Sequence, residues 1–167
     1  MIEAGGYLGN ANLKRTGVEI SYTEEQVAEI IKCTVDPVYF IRTYVKIVNV
    51  DRGLIPFEMW PFQEDMVTTF HDNRFCIAKM PRQVGKTTTT VGYMLWSVLF
   101  QDDYSIAILA NKGALARDIL GRVQYAYEYL PVWLQQGIIV WNKGNIELEN
   151  KSKIAAYATS AAGVRGS

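Results

Sequence analysis

The chain has 167 residues, of which 49% are apolar and 20% are charged, and this composition predicts one soluble globular domain with a sizeable core. Lys and Arg together number 17, as do Asp and Glu, so no global positive field indicates nucleic-acid binding, and a DNA contact would have to be local or come from partner domains. The longest apolar stretch, residues 91–100, is far shorter than the ~20 residues that span a bilayer, and the N-terminus has no signal-peptide pattern.

The cysteines predict an intracellular protein. Cys33 and Cys76 are far apart in the sequence and each lies in an apolar segment, so we expect buried, reduced thiols of a cytoplasmic protein. His71 is the only histidine and the chain has no Cys-x-x-Cys pair, so the sequence argues against a zinc site.

The N-terminal third predicts an arm followed by two helices. Residues 1–21 are rich in Gly and Asn, have no hydrophobic periodicity and predict a flexible N-terminal arm. A capping box formed by Thr23 and Gln26 predicts the start of a helix. Asp36 and the proline after it predict a second helix, which continues to about residue 48.

A candidate base-binding glutamine follows. Residues 51–53 predict a turn and residues 54–57 an extended stretch, and the next helix opens with Trp-Pro-Phe-Gln, which ends at Gln63. Aromatic and Pro residues before a glutamine, about twenty positions ahead of a Gly-Lys-Thr, resemble the Q motif of helicase-like ATPases, whose glutamine reads the adenine edge. An amide suits this role because it carries both a donor and an acceptor. The alternative is a solvated side chain.

Residues 80–87, Met-Pro-Arg-Gln-Val-Gly-Lys-Thr, resemble a phosphate-binding loop. The apolar run 75–78 predicts a strand that leads into the loop, and residues 88–100 predict the helix that leaves it, whose N-terminus would present unpaired N–H groups to a polyphosphate. Arg82 and Lys86 would repel each other in so short a loop unless an anion lay between them. The pattern departs from G-x-x-x-x-G-K-[ST] because Met occupies the first Gly position. The alternative is a plain turn that opens an ordinary helix.

An acidic pair and a second strand follow the loop helix. Asp102 and Asp103 predict a solvated turn rather than a metal site, since a helix from Lys86 would carry them roughly 20 Å from bound phosphates. Residues 104–110 predict a strand buried on both faces, as in a parallel sheet, reached by a right-handed crossover. Lys112 would lie at the carboxyl end of this strand and either contact a phosphate or the DNA backbone, or simply begin a helix.

The last third predicts one helix and three strands. Residues 114–130 predict a helix, and Asn-Lys-Gly at residues 142–144, between extended segments 137–141 and 145–149, predicts a hairpin. Residues 153–159 predict another strand. The buried stripe of the helix is predicted to consist of Leu115, Ile119, Val123 and Tyr127. The sequence therefore predicts an α/β fold without internal repeats or a second domain.

These residues together resemble the large terminase subunit of tailed bacteriophages, in particular the branch with long contractile tails, over residues 18–167. The matching segments are Arg82-Gln83-x-Gly85-Lys86-Thr87, Ala110-Asn111-Lys112-Gly113, Trp141-Asn142-Lys143-Gly144-x-Ile146-Glu147-Leu148 and Val164-Arg165-Gly166. The resemblance implies a P-loop NTPase of the additional-strand, RecA-like class, with a mostly parallel sheet flanked by helices and a β-hairpin. Residues 22–167 would be a partial, C-terminally truncated ATPase domain, because the acidic strand that follows Val-Arg-Gly in the family is not reached.

The resemblance also implies an activity and partners. The family motor uses ATP and Mg²⁺ to move double-stranded viral DNA into a procapsid in the host cell cytoplasm, together with the portal protein and the small terminase subunit and without a membrane. It assembles as a ring homo-oligomer on the portal. Because the carboxylates that organise Mg²⁺ and the attacking water are expected beyond this segment, we expect the isolated chain to bind nucleotide weakly with little turnover.

Site roles follow from the same resemblance. Gln63 would contact adenine, Thr87 would hold Mg²⁺, and Arg165 would be the arginine finger supplied to a neighbouring subunit. The predicted catalytic residues are Arg82, Lys86 and Arg165. The predicted nucleotide-binding residues are Gln63, Arg82, Gln83, Gly85, Lys86, Thr87 and Thr88.

Two alternative functions remain open, and the sequence argues against a third. A small P-loop kinase would need Arg-rich lid segments after the loop, and the sequence does not contain them. A helicase-like DNA-remodelling ATPase would share Gln63 and the loop. A non-catalytic module would bind nucleotide or a motor partner without turnover.

Overall fold

The computed structural model describes residues 6–49 and 51–159. Across these two ranges none of the helices combines the length and apolarity that a bilayer crossing requires. The helices are α1 (Glu24–Val35), α2 (Pro37–Tyr44), α3 (Pro61–Asp72), α4 (Lys86–Phe100) and α5 (Gly113–Glu128), with short 3₁₀ turns at Tyr7–Gly9 and Val132–Leu134. The strands are β1 (Lys46–Asn49), β2 (Gly53–Pro56), β3 (Ser105–Ala110), β4 (Ile138–Trp141), β5 (Asn145–Leu148) and β6 (Lys153–Ala158).

The main sheet has four strands in the order β3-β6-β5-β4. β3 runs parallel to β6, with Ser105 opposite Lys153 and Ala110 opposite Ala158, whereas β5 is antiparallel to both β6 and β4. The sheet is therefore mixed, and only its β3–β6 pair has the parallel arrangement that the sequence predicts. A second, two-stranded sheet is the antiparallel hairpin of β1 and β2.

The core lies between the helices and one face of the main sheet. α5 packs on β3 and β6, and α4 packs against α2, α3 and α5. The α4 side chains predicted to be buried are all buried in the structure: Val91, Leu95, Val98 and Leu99. The face of α5 is rotated from the predicted stripe, because Leu115 is 50% exposed while Ala116, Leu120, Val123 and Tyr127 are buried.

The first two helices begin as predicted. Thr23 and Gln26 form a reciprocal capping box, with hydrogen bonds of 3.1 and 3.2 Å. Asp36 caps α2 by accepting from the Tyr39 N–H at 2.9 Å, and Pro37 is the first helical residue. The Glu29 carboxylate joins the two helices by accepting from the hydroxyls of Tyr39 (2.7 Å) and Tyr44 (2.9 Å).

The prediction that the second helix reaches about residue 48 is wrong. α2 ends at Tyr44, and residues 46–49 form β1, which pairs with β2. The turn predicted at residues 51–53 is present and Gly53 has a φ of +69°, a conformation that glycine adopts at little cost. Val45, Ile47 and Val48 are β-branched and favour an extended backbone, and pairing with β2 stabilises that conformation.

Residues 6–17, which the sequence assigns to a flexible arm, are attached to the C-terminal half of the structure. The Lys14 N–H donates to the Gln135 side chain at 2.9 Å, the Lys14 carbonyl accepts from the Ile138 N–H at 2.9 Å, and Leu13 is buried in the core. An irregular backbone is thus held by long-range hydrogen bonds that leave no periodic signal in the sequence.

The strand predicted at residues 75–78 is absent from the structure. The segment has no regular secondary structure, and its apolar side chains face solvent, with Phe75 83% and Ile77 99% exposed. Cys76, predicted to be buried, is exposed, whereas Cys33 is buried as predicted. A strand needs a neighbour for its backbone groups, and within the described ranges no strand pairs with this segment.

β3 is only half-buried, so the prediction that it is buried on both faces is wrong. Ile108 and Ala110 point into the core, while the alternating side chains, including Leu109, are exposed. Asp102 and Asp103 form the solvated turn expected before β3. The hairpin of β4 and β5 also forms as predicted, with the Asn142 side chain accepting from two backbone N–H groups of its turn at 2.8 and 3.0 Å.

Candidate nucleotide-binding site

The loop before α4 contains two residues with left-handed backbone. Gly85 is the N-cap of α4 with a φ of +76°, and Gln83 has a φ of +63°, while Val84 between them is not in the left-handed region. In an anion nest, left-handed residues that alternate with right-handed ones turn successive N–H groups toward one side. The first turn of a 15-residue helix adds its own unpaired N–H groups at the same place.

Lys86 and the threonines after it differ in the hydrogen bonds that their side chains make. The Lys86 ammonium donates to the Pro81 carbonyl at 2.8 Å and so closes the loop on itself. The hydroxyls of Thr89 and Thr90 donate to carbonyls one turn earlier, at 3.1 and 2.9 Å. The Thr87 hydroxyl makes no such bond within the described part of the chain, so a ligand could engage it without breaking an existing contact.

Gln63 is buried against this loop. It is the third residue of α3 and only 4% exposed. Its Oε1 accepts from the Trp60 N–H at 2.9 Å, and its Nε2 donates to the Val84 carbonyl at 3.0 Å. The amide therefore caps α3 at one end and holds the loop at the other.

A cleft of about 1030 Å³ opens beside the loop. Its two sides are the β1–β2 hairpin with the chain that follows it, and the loop with the start of α4. Trp60, the N-cap residue of α3, lines the cleft and is 68% exposed. Lining residues that bear on binding are Arg52, Phe57, Trp60, Phe62, Gln63, Gln83, Gly85 and Thr88.

The structure gathers part of the predicted site. Gln63, Gln83, Gly85 and Thr88 line the cleft, and Lys86 and Thr87 are in the first turn of α4. Arg82 is exposed on the loop and does not line the cleft. Arg165 lies outside the described residues. Lys112 is the N-cap residue of α5, which agrees with the helix-start alternative and leaves a phosphate contact a prediction.

Sequence reasoning missed the hairpin that forms the far wall of the cleft. Arg52, Ile55 and Phe57 come to the site through the β1–β2 pairing, and the expected longer second helix had no such wall. The available signal was the Asp-Arg-Gly turn between the β-branched stretch 45–50 and the extended stretch 54–57, which is a hairpin pattern.

The fold is mixed α/β, and a Gly-Lys-Thr loop beside a cleft opens a buried helix. These features make the chain a candidate anion-binding α/β protein. A family model described as "Terminase large subunit, T4likevirus-type, N-terminal" matches residues 77–167, more than half of the chain. The chain therefore belongs to the terminase large subunit family, which indicates a component of a phage DNA-packaging motor, and members of this family are generally ATPases. The match includes the loop, α4 and the main sheet but not Gln63.

Proposed function

We propose that this chain is the ATP-binding part of a P-loop ATPase domain in a viral DNA-packaging motor. The observation that carries the proposal is the loop before α4, where residues 83 and 85 are left-handed and the chain enters the N-terminus of a buried helix, whose first N–H groups are available to an anion. Membership of the terminase family supports the motor context. The cleft supports a ligand of nucleotide size rather than a free phosphate alone.

The loop residues fit Mg·ATP. Lys86 would exchange its Pro81 carbonyl for the β/γ-phosphates, because an ammonium gains more from a dianionic oxygen group than from a neutral carbonyl. Thr87 would hold Mg²⁺ through its unengaged hydroxyl, and the ion would neutralise phosphate charge. Arg82 would approach the phosphates from the exposed side of the loop. Arg165 would act as a finger toward a neighbouring subunit's site.

The motor assignment brings expected partners. Translocation of double-stranded viral DNA requires the portal protein, and the small terminase subunit would present the DNA. A ring of copies on the portal, in the host cell cytoplasm, would let Arg165 of one copy reach the next.

We expect this polypeptide to bind nucleotide with little turnover. In-line attack needs a positioned water and a group that takes its proton, and none of the predicted site residues is a carboxylate. This also favours a second candidate function, a module that binds nucleotide without hydrolysing it.

Calorimetric titration of Mg·ATP into the wild-type chain and Lys86→Ala tests the proposal, with turnover followed in the same samples. We expect wild-type binding and at least a tenfold weaker affinity in the variant, since a charge-assisted contact is worth about 1.5–3 kcal/mol. Lys153→Ala is the matched control, because Lys153 is an exposed lysine at the start of β6 and does not line the cleft. Equal affinity in wild type and Lys86→Ala would refute the loop assignment. Brisk turnover would refute the non-catalytic candidate.

A further inference from the structure

The amide of Gln63 is buried and already makes two hydrogen bonds within the protein. A base-reading amide needs a free donor and a free acceptor on one accessible edge. Here the amide oxygen accepts from the Trp60 N–H, one of the two amide N–H groups donates to the Val84 carbonyl, and only 4% of the residue is exposed. The second N–H and the second lone pair are buried with the side chain, so a base would reach them only if the side chain moved and strained or broke these two bonds.

The position of the amide bears directly on the loop. Val84 lies between the two left-handed positions, and its carbonyl shares one planar peptide unit with the Gly85 N–H, so the bond from Gln63 fixes the direction of that N–H. Gly85 follows at once, and a Cβ built on it would collide with Gln63 Nε2. The side chain thus fills the space behind the loop and holds one of its peptide groups.

We infer that Gln63 is a positioning residue for the phosphate loop, which preorganises the loop's N–H groups for a polyphosphate rather than recognising the base. This role rests on the proposed function. The loop's donors bind an anion best when they already point at it, because ordering them at the moment of binding costs free energy. Gln63 supplies that order from the N-terminus of α3, outside the loop.

The two roles of Gln63 make opposite predictions for a ligand without a base. Tripolyphosphate with Mg²⁺ carries the phosphates of ATP and no adenine. If Gln63 positions the loop, Gln63→Met, which keeps the side-chain length and removes both bonds, should weaken tripolyphosphate and ATP by the same factor, about tenfold. If Gln63 reads adenine, ATP alone should weaken, and the preference for ATP over GTP should fall.

Gln135→Met is the matched control. Gln135 is 3% exposed, and its amide also joins two segments, accepting from the Lys14 N–H and donating to the Asn12 and Leu130 carbonyls. Its loss should lower the melting temperature as Gln63→Met does, yet leave both affinities unchanged. Gln63→Asn, whose amide is too short to span both partners, replaces Gln63→Met if the latter does not fold.

The outcomes separate cleanly by calorimetry on the full chain. Equal weakening of tripolyphosphate and ATP, with an unchanged ratio of the two affinities, supports the positioning role. Unchanged tripolyphosphate affinity in Gln63→Met or Gln63→Asn overturns it. Equal weakening in Gln135→Met also overturns it, because the effect would then be one of general stability. Wild-type protein that binds neither ligand overturns the proposed function itself, a result distinct from the others.

Discussion

The contact between Gly85 and Gln63 predicts a strong coupling between the two positions in stability. Gly85→Ala places a methyl group on a residue with a φ of +76° and against the Gln63 amide. The substitution therefore has two destabilising effects, which are strain in the backbone at position 85 and displacement of the Gln63 side chain. Replacing Gln63 with alanine empties the space and should remove the second penalty only.

The two penalties can be assigned magnitudes. Left-handed backbone costs an L-residue about 1–2 kcal/mol. Moving the amide gives up two hydrogen bonds, each worth about 0.5–1.5 kcal/mol, hence about 1–3 kcal/mol. Gly85→Ala should destabilise the wild type by about 2–5 kcal/mol but the Gln63→Ala background by only about 1–2 kcal/mol, which leaves a coupling of about 1–3 kcal/mol.

A double-mutant cycle from urea unfolding, followed by tryptophan fluorescence, measures this coupling. Gly121→Ala in α5 is the control, because nothing lies within 4 Å of a Cβ at that position and its φ is not positive. Removing a helical glycine there should be neutral or stabilise the protein by up to about 1 kcal/mol. If Gly85→Ala has the same cost in both backgrounds, the close approach of the amide to the loop is refuted.

Three further expectations concern the rest of the chain. In the native protein a maleimide should label the exposed Cys76 quickly and Cys33 only after unfolding, because Cys33 is buried and burial raises its pKa to about 12. A Cys76 that is protected from the maleimide would instead support a buried strand at residues 75–78. Hydrogen bonds from a lysine and two tyrosines lower the Glu29 pKa from 4.5 to about 2. These bonds therefore stabilise the fold fully above pH 4.5, and their contribution is lost as the pH falls toward 2. The free energy of unfolding of Glu29→Gln should vary less with pH over that range, and the same pH dependence in wild type and variant would contradict this. Gln135→Ala should speed proteolysis in the N-terminal segment roughly tenfold at unchanged affinity for nucleotide, and an unchanged cleavage rate would contradict its attachment.

Features stabilised by nearby residues could be predicted from the sequence. The capping box at Thr23, the Asp36 cap and the Asn142 turn all form as expected. Each satisfies backbone groups within three residues of itself, so a short stretch of sequence contains both partners of every bond. The buried face of α4 was predictable for a similar reason, since its apolar residues repeat at helical spacing.

Features that depend on a distant partner could not be predicted. Residues 75–78 are apolar enough for a strand, yet a strand forms only where another strand receives its hydrogen bonds. The rotated face of α5 is likewise decided by the sheet that it covers. The sequence shows which residues are apolar, but it does not show which surface they pack against.

The residues of the candidate site also differ in whether their partners are near or far in the sequence. The loop and the first turn of α4 are contiguous, so Lys86 and Thr87 could be named from their spacing alone. Gln63 reaches the loop from 21 residues away, and a motif could mark it as important without saying what its amide touches. Its two bonds connect the start of α3, which borders the cleft, to the peptide that orients the loop. We therefore expect a ligand that shifts one of these elements either to shift the other or to break a buried hydrogen bond, which would link occupancy of the cleft to the conformation of the loop through the Gln63 side chain.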